Sequence, residues 1–404
     1  MRRPDVLVVG GGVIGCAVAY ELSKEGLGVS VLERAGLAAG ASGANGALVW
    51  PQAMSPGAAL DLTLACARRF TTLGDELDAD IQYRPTGGMV AVETEAQMRQ
   101  MAAYVAGQPA VGLPAELLDG AEARRREPSL GSDLLGAVYA EHAGTINPFR
   151  LTLGYARAAR ARGAVLVTDV EVRTLLRRGD RVVGVQTATG AVEAALVILA
   201  GGAWSGALAA TANVRVPVTP RQGMMVVTEP APFRLGHVLK PIKAESDMWQ
   251  FSQPWPPDVP GKAGYDPNLP PGKGMVLAQM AAGNLVIGST SRFVGLDRSP
   301  TLAGIRYVLE NACRIAPAVK TLRLLRTWAG LRPYTPDGLP LLGPAPGVDG
   351  LVLATGHDGG GIGMSPESAR LVAAVVTQTD PPRPLEPFDP RRFGDSRVPE
   401  RIAS

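Results

Sequence analysis

Residues 6–9, VLVV, are apolar without a break, the pattern of a strand buried on both faces. From residue 13 the period changes. Ile14, Val18 and Leu22 recur at helical spacing and Gly26 stops the run, which predicts a helix over 13–24. A second apolar run at 29–32 predicts the next strand. Between the first strand and the helix stands Gly10-Gly11-Gly12, so the opening of the chain reads as strand, tight turn, helix, strand.

Beyond it, Ser55-Pro56 has the form of a helix cap and first-turn proline. It predicts a helix to about residue 77, with Leu60, Leu64 and Leu73 facing inward. From Tyr83 the pattern predicts a strand at 89–92, a helix from Thr94, a second helix near 115–126 and a strand at 137–140. Asn147-Pro148 opens another helix that ends before Gly163. Strands are expected at 164–167, 171–176 and 181–187, the last two joined through Arg178-Gly179-Asp180. An apolar strand over 193–199 runs into the small residues at 200–205, and Arg221-Gln222-Gly223 leads into a strand at 224–228. Further strands are expected at 275–279, 284–289, 322–327 and 351–354. Helices are expected at 302–314 and from Ser365-Pro366 to about residue 377. Residues 247–273 are crowded with proline and glycine, with Trp249, Phe251, Trp255 and Tyr265 as apolar anchors. Their length suits a lid or partner surface as well as a plain insertion.

No second glycine fingerprint and no internal repeat occur, so the chain reads as one nucleotide-type unit with two excursions. The expected fold is α/β: a Rossmann-like domain from residues 1–84, 145–220 and 327–380. A second, mixed-sheet α+β domain is expected from 85–144 and 221–326, and a surface tail from 381–404.

Composition narrows the function classes. Over 404 residues, 46% apolar and 19% charged, the net charge is +3, which gives no reason to expect nucleic acid or an anionic membrane as partner. Arg124-Arg125-Arg126 reads as a solvated helix face. Cys16, Cys66 and Cys313 are widely spaced and odd in number, which argues against a disulfide framework or a zinc site and fits a reducing compartment. Arg2-Arg3 precedes the glycine-rich unit rather than an export signal, and no run of about eighteen apolar residues suggests a membrane span. A cytoplasmic protein without metal is expected.

Gly10, Gly12 and Gly15 fit G-x-G-x-x-G, and Glu33 ends the second strand 18 residues after Gly15. The first glycine permits the turn, the second lets backbone approach a pyrophosphate, and the third lets helix and strand pack. An acid at that distance accepts hydrogen bonds from a ribose. The small-residue segment around Ser42, Asn45 and Gly46 suits close approach to a flat ligand. Trp204 either covers a ring system or fills core. Near the carboxyl end, GHDGGGIG leads toward a helix and would aim unpaired backbone N–H groups at an electron-rich edge.

The motifs VVGGGVIGCAVAYELSKEGLGVSVLER, GASGANGALV, LAGGAWS, GLRPYTPDGLPLLG and GHDGGGIGMSPESA, in that order, resemble the D-amino-acid-oxidase-like superfamily of FAD-dependent amine oxidoreductases. The glycine oxidase, sarcosine oxidase and D-amino-acid dehydrogenase branches look most similar. The resemblance implies FAD contacts from Gly10, Gly12, Val13, Ile14, Gly15, Glu33, Arg34, Ser42, Asn45, Gly46, Val170, Ala200, Gly201, Trp204 and Gly330. Gly359, Gly360, Gly361 and Ile362 would complete them. Arg332 matches the arginine that pairs with a substrate carboxylate. Some relatives attach flavin covalently through a histidine beside the GASGAN segment or a cysteine near RPYTPD. Here Ala44 and Asn45 occupy the first region and no cysteine lies in the second, so non-covalent FAD is expected.

The implied reaction is hydride transfer from a substrate Cα–H to flavin N5, giving an imine that hydrolyses to an oxo acid or remains cyclic. Glycine, sarcosine, D-amino acids and D-proline-like imino acids are the substrates implied. Electrons would pass to O2 or to an acceptor subunit or quinone, with the oligomeric state left open. His357 is either a base or a shaper of the loop before the flavin helix. Arg221, Gln222 and Tyr334 are further candidates to reach substrate, and His142 and His237 read as surface or turn residues. Two rivals stand beside this reading: a flavin-binding subunit or assembly factor without its own turnover, and a nicotinamide dehydrogenase.

Overall fold

The computed structural model describes residues 3–54, 56–242 and 275–394. The expected Ser55 cap and the 247–273 loop with its four aromatic anchors lie outside the described residues.

Two large sheets organise the chain. The first has six strands, in the order Leu341–Pro344, Leu351–Thr355, Leu196–Leu199, Val6–Val9, Val29–Leu32 and Val165–Val167. All pair in parallel except Leu341–Pro344, which runs antiparallel at the edge. Its apolar runs are explained by burial on both faces. Val6 and Val8 pack under the helices Val13–Lys24, Pro148–Ala161 and Gly361–Thr377. Leu7 and Val9 pack on the opposite face with Val182 and Val185 of a small three-stranded sheet.

The second sheet has eight strands: Leu324–Tyr334, Thr219–Pro230, Asn284–Gly288, Val276–Gln279, Val238–Pro241, Gly88–Val92, Gly136–Ala140 and Glu116–Asp119. It is mixed, with Val238–Pro241 parallel to Gly88–Val92 and the other pairs antiparallel. Met224, Val226 and Ile287 on one face pack with Ile305 and Val308 of the Leu302–Ile315 helix. The fold is therefore a Rossmann-like α/β domain with a mixed α+β domain formed by two insertions.

Several elements differ from the sequence expectation. Residues 115–126 are not one helix: Glu116–Asp119 is an edge strand, and Gly120–Arg126 is a short helix. Asp119 divides them, because its carboxylate accepts from Glu122 N–H at 2.8 Å as a cap. The 193–199 run is also two strands, Gly190–Glu193 in the small sheet and Leu196–Leu199 in the large one. The Leu324–Tyr334 strand keeps to the eight-stranded sheet past residue 327. The last helix begins at Gly361, not at Ser365-Pro366, and Pro366 lies inside it. Proline offers no N–H to the Ile362 carbonyl one turn back. The Ser365 hydroxyl donates to that oxygen instead, at 3.0 Å.

His237 is not an ordinary surface residue. Its Nδ1 lies 3.2 Å from the fully buried Glu127, whose carboxylate also accepts from the Gly236 and His237 N–H groups. These contacts tie two segments of the eight-stranded sheet's periphery together. His142 sits beside Glu141 at 3.7 Å, half-buried.

Candidate active site

The carboxyl ends of the parallel strands face the long Thr219–Pro230 and Leu324–Tyr334 ladder across one cavity of about 1130 Å³. The wall on the six-stranded side is built mainly from backbone and small residues. At Gly10, φ is 114° and an added Cβ would stand 2.4 Å from the Ala200 carbonyl oxygen, so glycine alone lets the turn pass there. Gly12 caps the Val13–Lys24 helix without a side chain of its own. Val13 N–H donates to Ser42 Oγ at 2.9 Å, which leaves the Ser42 proton available to another acceptor. Gly12, Val13, Ile14, Ser42 and Gly46 all line the cavity. Gly15 does not: a Cβ on it would meet Gly10 O at 1.9 Å, and its place is in the helix–strand packing.

Further along this wall, Glu33 accepts from Gly11 N–H at 2.7 Å and from Ala35 N–H at 3.0 Å. A carboxylate has about four acceptor sites, so capacity remains for a hydroxyl donor. Val170 is tied to the same strand end through its N–H on Glu33 O. The Arg34 guanidinium lies 3.8 Å from the centre of the Trp204 ring. Both residues line the cavity, so Trp204 covers its wall and does not fill core. Asn45 engages its own loop: Nδ2 donates to Ala41 O and Ser42 O, while Oδ1 accepts from Ala47 N–H. That loop meets the ladder at Gly330, where a Cβ would come within 2.7 Å of Ala44 O. Ala200 and Gly201 close this side.

At the other end, Gly359, Gly360, Gly361 and Ile362 line the cavity as they enter the Gly361–Thr377 helix, which also lacks a side-chain cap. One cavity thus receives two helix N-termini whose N-cap glycines bring no side chain, the first meeting Ser42 through one N–H, and each is the positive end of its helix dipole. His357 precedes that helix, 3% exposed, with Nε2 3.0 Å from Ser368 Oγ. Burial pushes its imidazole down to about 3, so it is neutral and fastened to the helix.

The facing wall carries charge. Strand alternation turns Arg221 and Gly223 into the cavity and Gln222 away from it, where Gln222 Nε2 donates to Asp297 O and Ser299 O. Arg221 stands directly opposite Arg332 in the ladder. Arg332 donates to Thr290 O at 3.2 Å and to Ser289 Oγ, and lies so close over Gly223 that a Cβ there would be 2.3 Å from its guanidinium. Burial and the neighbouring Arg221 bring Arg332 down to about 10 while Asp358 opposes them, so it stays cationic at neutral pH. Among the described residues no carboxylate is ion-paired to Arg332. The Arg221 guanidinium lies 5.2 Å from the Tyr334 ring centre, and Tyr334 packs edge-on against Phe293.

Asp358, Gly223, Ser289 and Thr290 were not singled out from sequence as site residues. Only Asp358 had a visible signal, a charged residue inside a glycine motif; the other three enter through strand pairing. Among the described residues no group of acids, histidines or cysteines could hold a metal, and no helix is long and apolar enough to cross a membrane.

A Rossmann-like sheet whose strand ends meet two glycine-led helix N-termini, across from a cationic ladder, is the architecture of a dinucleotide-binding protein. The family described as FAD dependent oxidoreductase (DAO) matches residues 5–375, and the chain belongs to it. The cavity suits FAD: the glycine cradle admits a pyrophosphate, Glu33 a ribose, and the second helix end an electron-rich ring edge. The chain is similar to glycine oxidase of Pseudomonas aeruginosa, at 32% identity over 95% of this chain and 98% of that protein. It is also similar to hydrogen cyanide synthase subunit HcnC of the same organism, at 31% over 97% of each. Among solved structures, glycine oxidase from Geobacillus kaustophilus superposes with TM-score 0.84 at 28% identity, covering 96% of this chain and 98% of that one.

Proposed function

We propose that this protein oxidises the C–N bond of a small amino acid, with non-covalently held FAD as the hydride acceptor. The observation that carries the reading is Arg332: a cation on the cavity wall, fixed by two neutral partners, with no carboxylate of its own among the described residues. A guanidinium held in this way is preorganised to take a substrate carboxylate through its remaining N–H groups. FAD when bound supplies the two-electron acceptor that side chains lack.

In this reading Gly10, Gly12, Val13, Ile14 and Ser42 receive the pyrophosphate and Glu33 the ribose. Arg34, Val170 and Trp204 flank the nucleoside end. Gly46, Ala200, Gly201 and Gly330 lie against flat parts of the cofactor, and Gly359 to Ile362 face the flavin's electron-rich edge. Arg332 orients the amino acid, Arg221 and Tyr334 bound the substrate space, and neutral His357 holds the loop rather than moving a proton. The imine released from the substrate hydrolyses in water or, from a cyclic amine, persists. Electrons then pass to O2 or to another acceptor. Three free, widely separated cysteines suit a cytoplasmic setting, which is part of the proposal.

The test is anaerobic mixing of the purified yellow protein with glycine, sarcosine, D-alanine and D-proline. Bleaching by at least one member is expected; if none bleaches it, the proposal fails. The HcnC relative is named as a subunit, which favours a second reading as a flavoprotein component of a larger complex. Peroxide yield with and without an artificial acceptor separates oxidase from dehydrogenase.

A further inference from the structure

Two arginines directly opposite each other on antiparallel strands repel, and a fold does not gain stability from such a pair. The neighbour that offsets it is Asp358, whose carboxylate forms an ion pair with Arg221. Asp358 is held at φ 44°, in the left-handed region, and its N–H donates to Pro333 O at 2.9 Å. The loop is thereby pinned to the residue next to Arg332. The pair is an expensive one. Its side chains are 13% and 22% exposed, and Arg221 Nε and Asp358 Oδ1 are buried without hydrogen-bond partners. A buried pair with unmet polar atoms is weak evidence for stability, so a role in the cavity is the better account of it. Arg292 and Lys240 also line the cavity; Arg221 is the residue opposite Arg332 in the ladder and Asp358 is the ion-pair partner of Arg221, which makes these three one charge cluster.

The three groups sum to a single positive charge. We propose that Asp358, by neutralising Arg221, sets the charge of the substrate: the site takes amino acids with one carboxylate and rejects those with two. One carboxylate on Arg332 balances the cluster. A second would meet an arginine already paired and a carboxylate of its own sign, which disfavours it by like-charge repulsion in a partly buried site. This inference rests on Arg332 as the carboxylate anchor, and it names the substrate class of that same site.

The matched pairs are sarcosine against iminodiacetate and D-alanine against D-aspartate, which differ chiefly by the second carboxylate. The wild type should favour the monocarboxylate in kcat/KM by about tenfold or more, equivalent to about 1.4 kcal/mol. Asp358→Asn should shrink or invert that preference by about the same factor. Acetate and malonate, neither of which reacts, should follow the same order when read by their perturbation of the bound flavin spectrum. An Asp358 acting only through stability would lower the melting temperature and leave the ratio unmoved, and that result overturns the proposal. A wild type that uses dicarboxylates as well as monocarboxylates overturns it too, even if the variant loses its flavin. Arg332→Ala with unchanged KM for both members of a pair would instead remove the anchor. The two failures are therefore distinguishable.

Discussion

The two walls of the cavity are made from different material. On the six-stranded side the surface is largely backbone: glycines, small residues and the glycine-capped ends of two helices, with Glu33 among its few charged groups. On the eight-stranded side it is side chain: Arg221, Arg332 and Tyr334 project from the paired strands Thr219–Pro230 and Leu324–Tyr334. A backbone wall can recognise phosphates and ring edges but cannot be retuned by substitution without clashes. A side-chain wall can be changed one charge at a time. The cofactor should therefore be the conservative half of this site and the substrate the adjustable half.

The largest effect comes from behind the backbone wall, at Gly15, which lets the first helix pack on its strand. Gly15→Ala drives a methyl to within 1.9 Å of Gly10 O, a backbone atom that cannot rotate away. A cost of about 3 kcal/mol or more follows, and the expected product is colourless or insoluble, read by flavin absorbance and the melting curve. On the opposite wall, removing material should spare the cofactor. Arg332→Ala should raise the KM for a carboxylated substrate about 100-fold, or about 3 kcal/mol, with yellow flavin still bound. A smaller effect is expected from Ser42→Ala, since Ser42 adds one hydrogen bond to a helix end that keeps its other N–H groups. It should weaken FAD about fivefold, near 1 kcal/mol, in an equilibrium titration of the apoprotein.

The smallest effect on activity concerns His357. Its folded pKa, about 3, lies below the ordinary 6.5. The unfolded chain therefore binds more protons between those values, and stability is full above 6.5 and declines as pH falls toward 3. His357→Gln should flatten the part of this decline between pH 6.5 and 5, where carboxylates contribute little, as seen in paired denaturation curves. Activity should show no ionisation of His357 between pH 5 and 8.

The backbone wall was largely legible in the chain, because phosphate-binding turns demand glycine at positions that cannot be exchanged. Gly10, Gly12, Glu33 and the strand–helix–strand around them stand where the residue pattern puts them. The side-chain wall was only half legible. Arg332 came from a motif, but its opposition to Arg221 depends on register between strands distant in sequence, and short-range periodicity carries no register. Asp358 escaped notice for the same reason: its partner is defined only once the ladder and the glycine loop are folded together. Local misreadings had local causes. Asp119 reads as helix interior until its capping role is seen, and Pro366 reads as a helix start because Ser365 compensates for its missing N–H.

The most direct test of the whole account is the concentration dependence of anaerobic flavin bleaching by a small monocarboxylate amino acid, in the wild type and in Arg332→Ala. Saturable bleaching in the wild type, with the half-saturating concentration raised about 100-fold in a variant that remains yellow, is the predicted result. Identical saturation curves, or a wild type that no small amino acid bleaches, would contradict it.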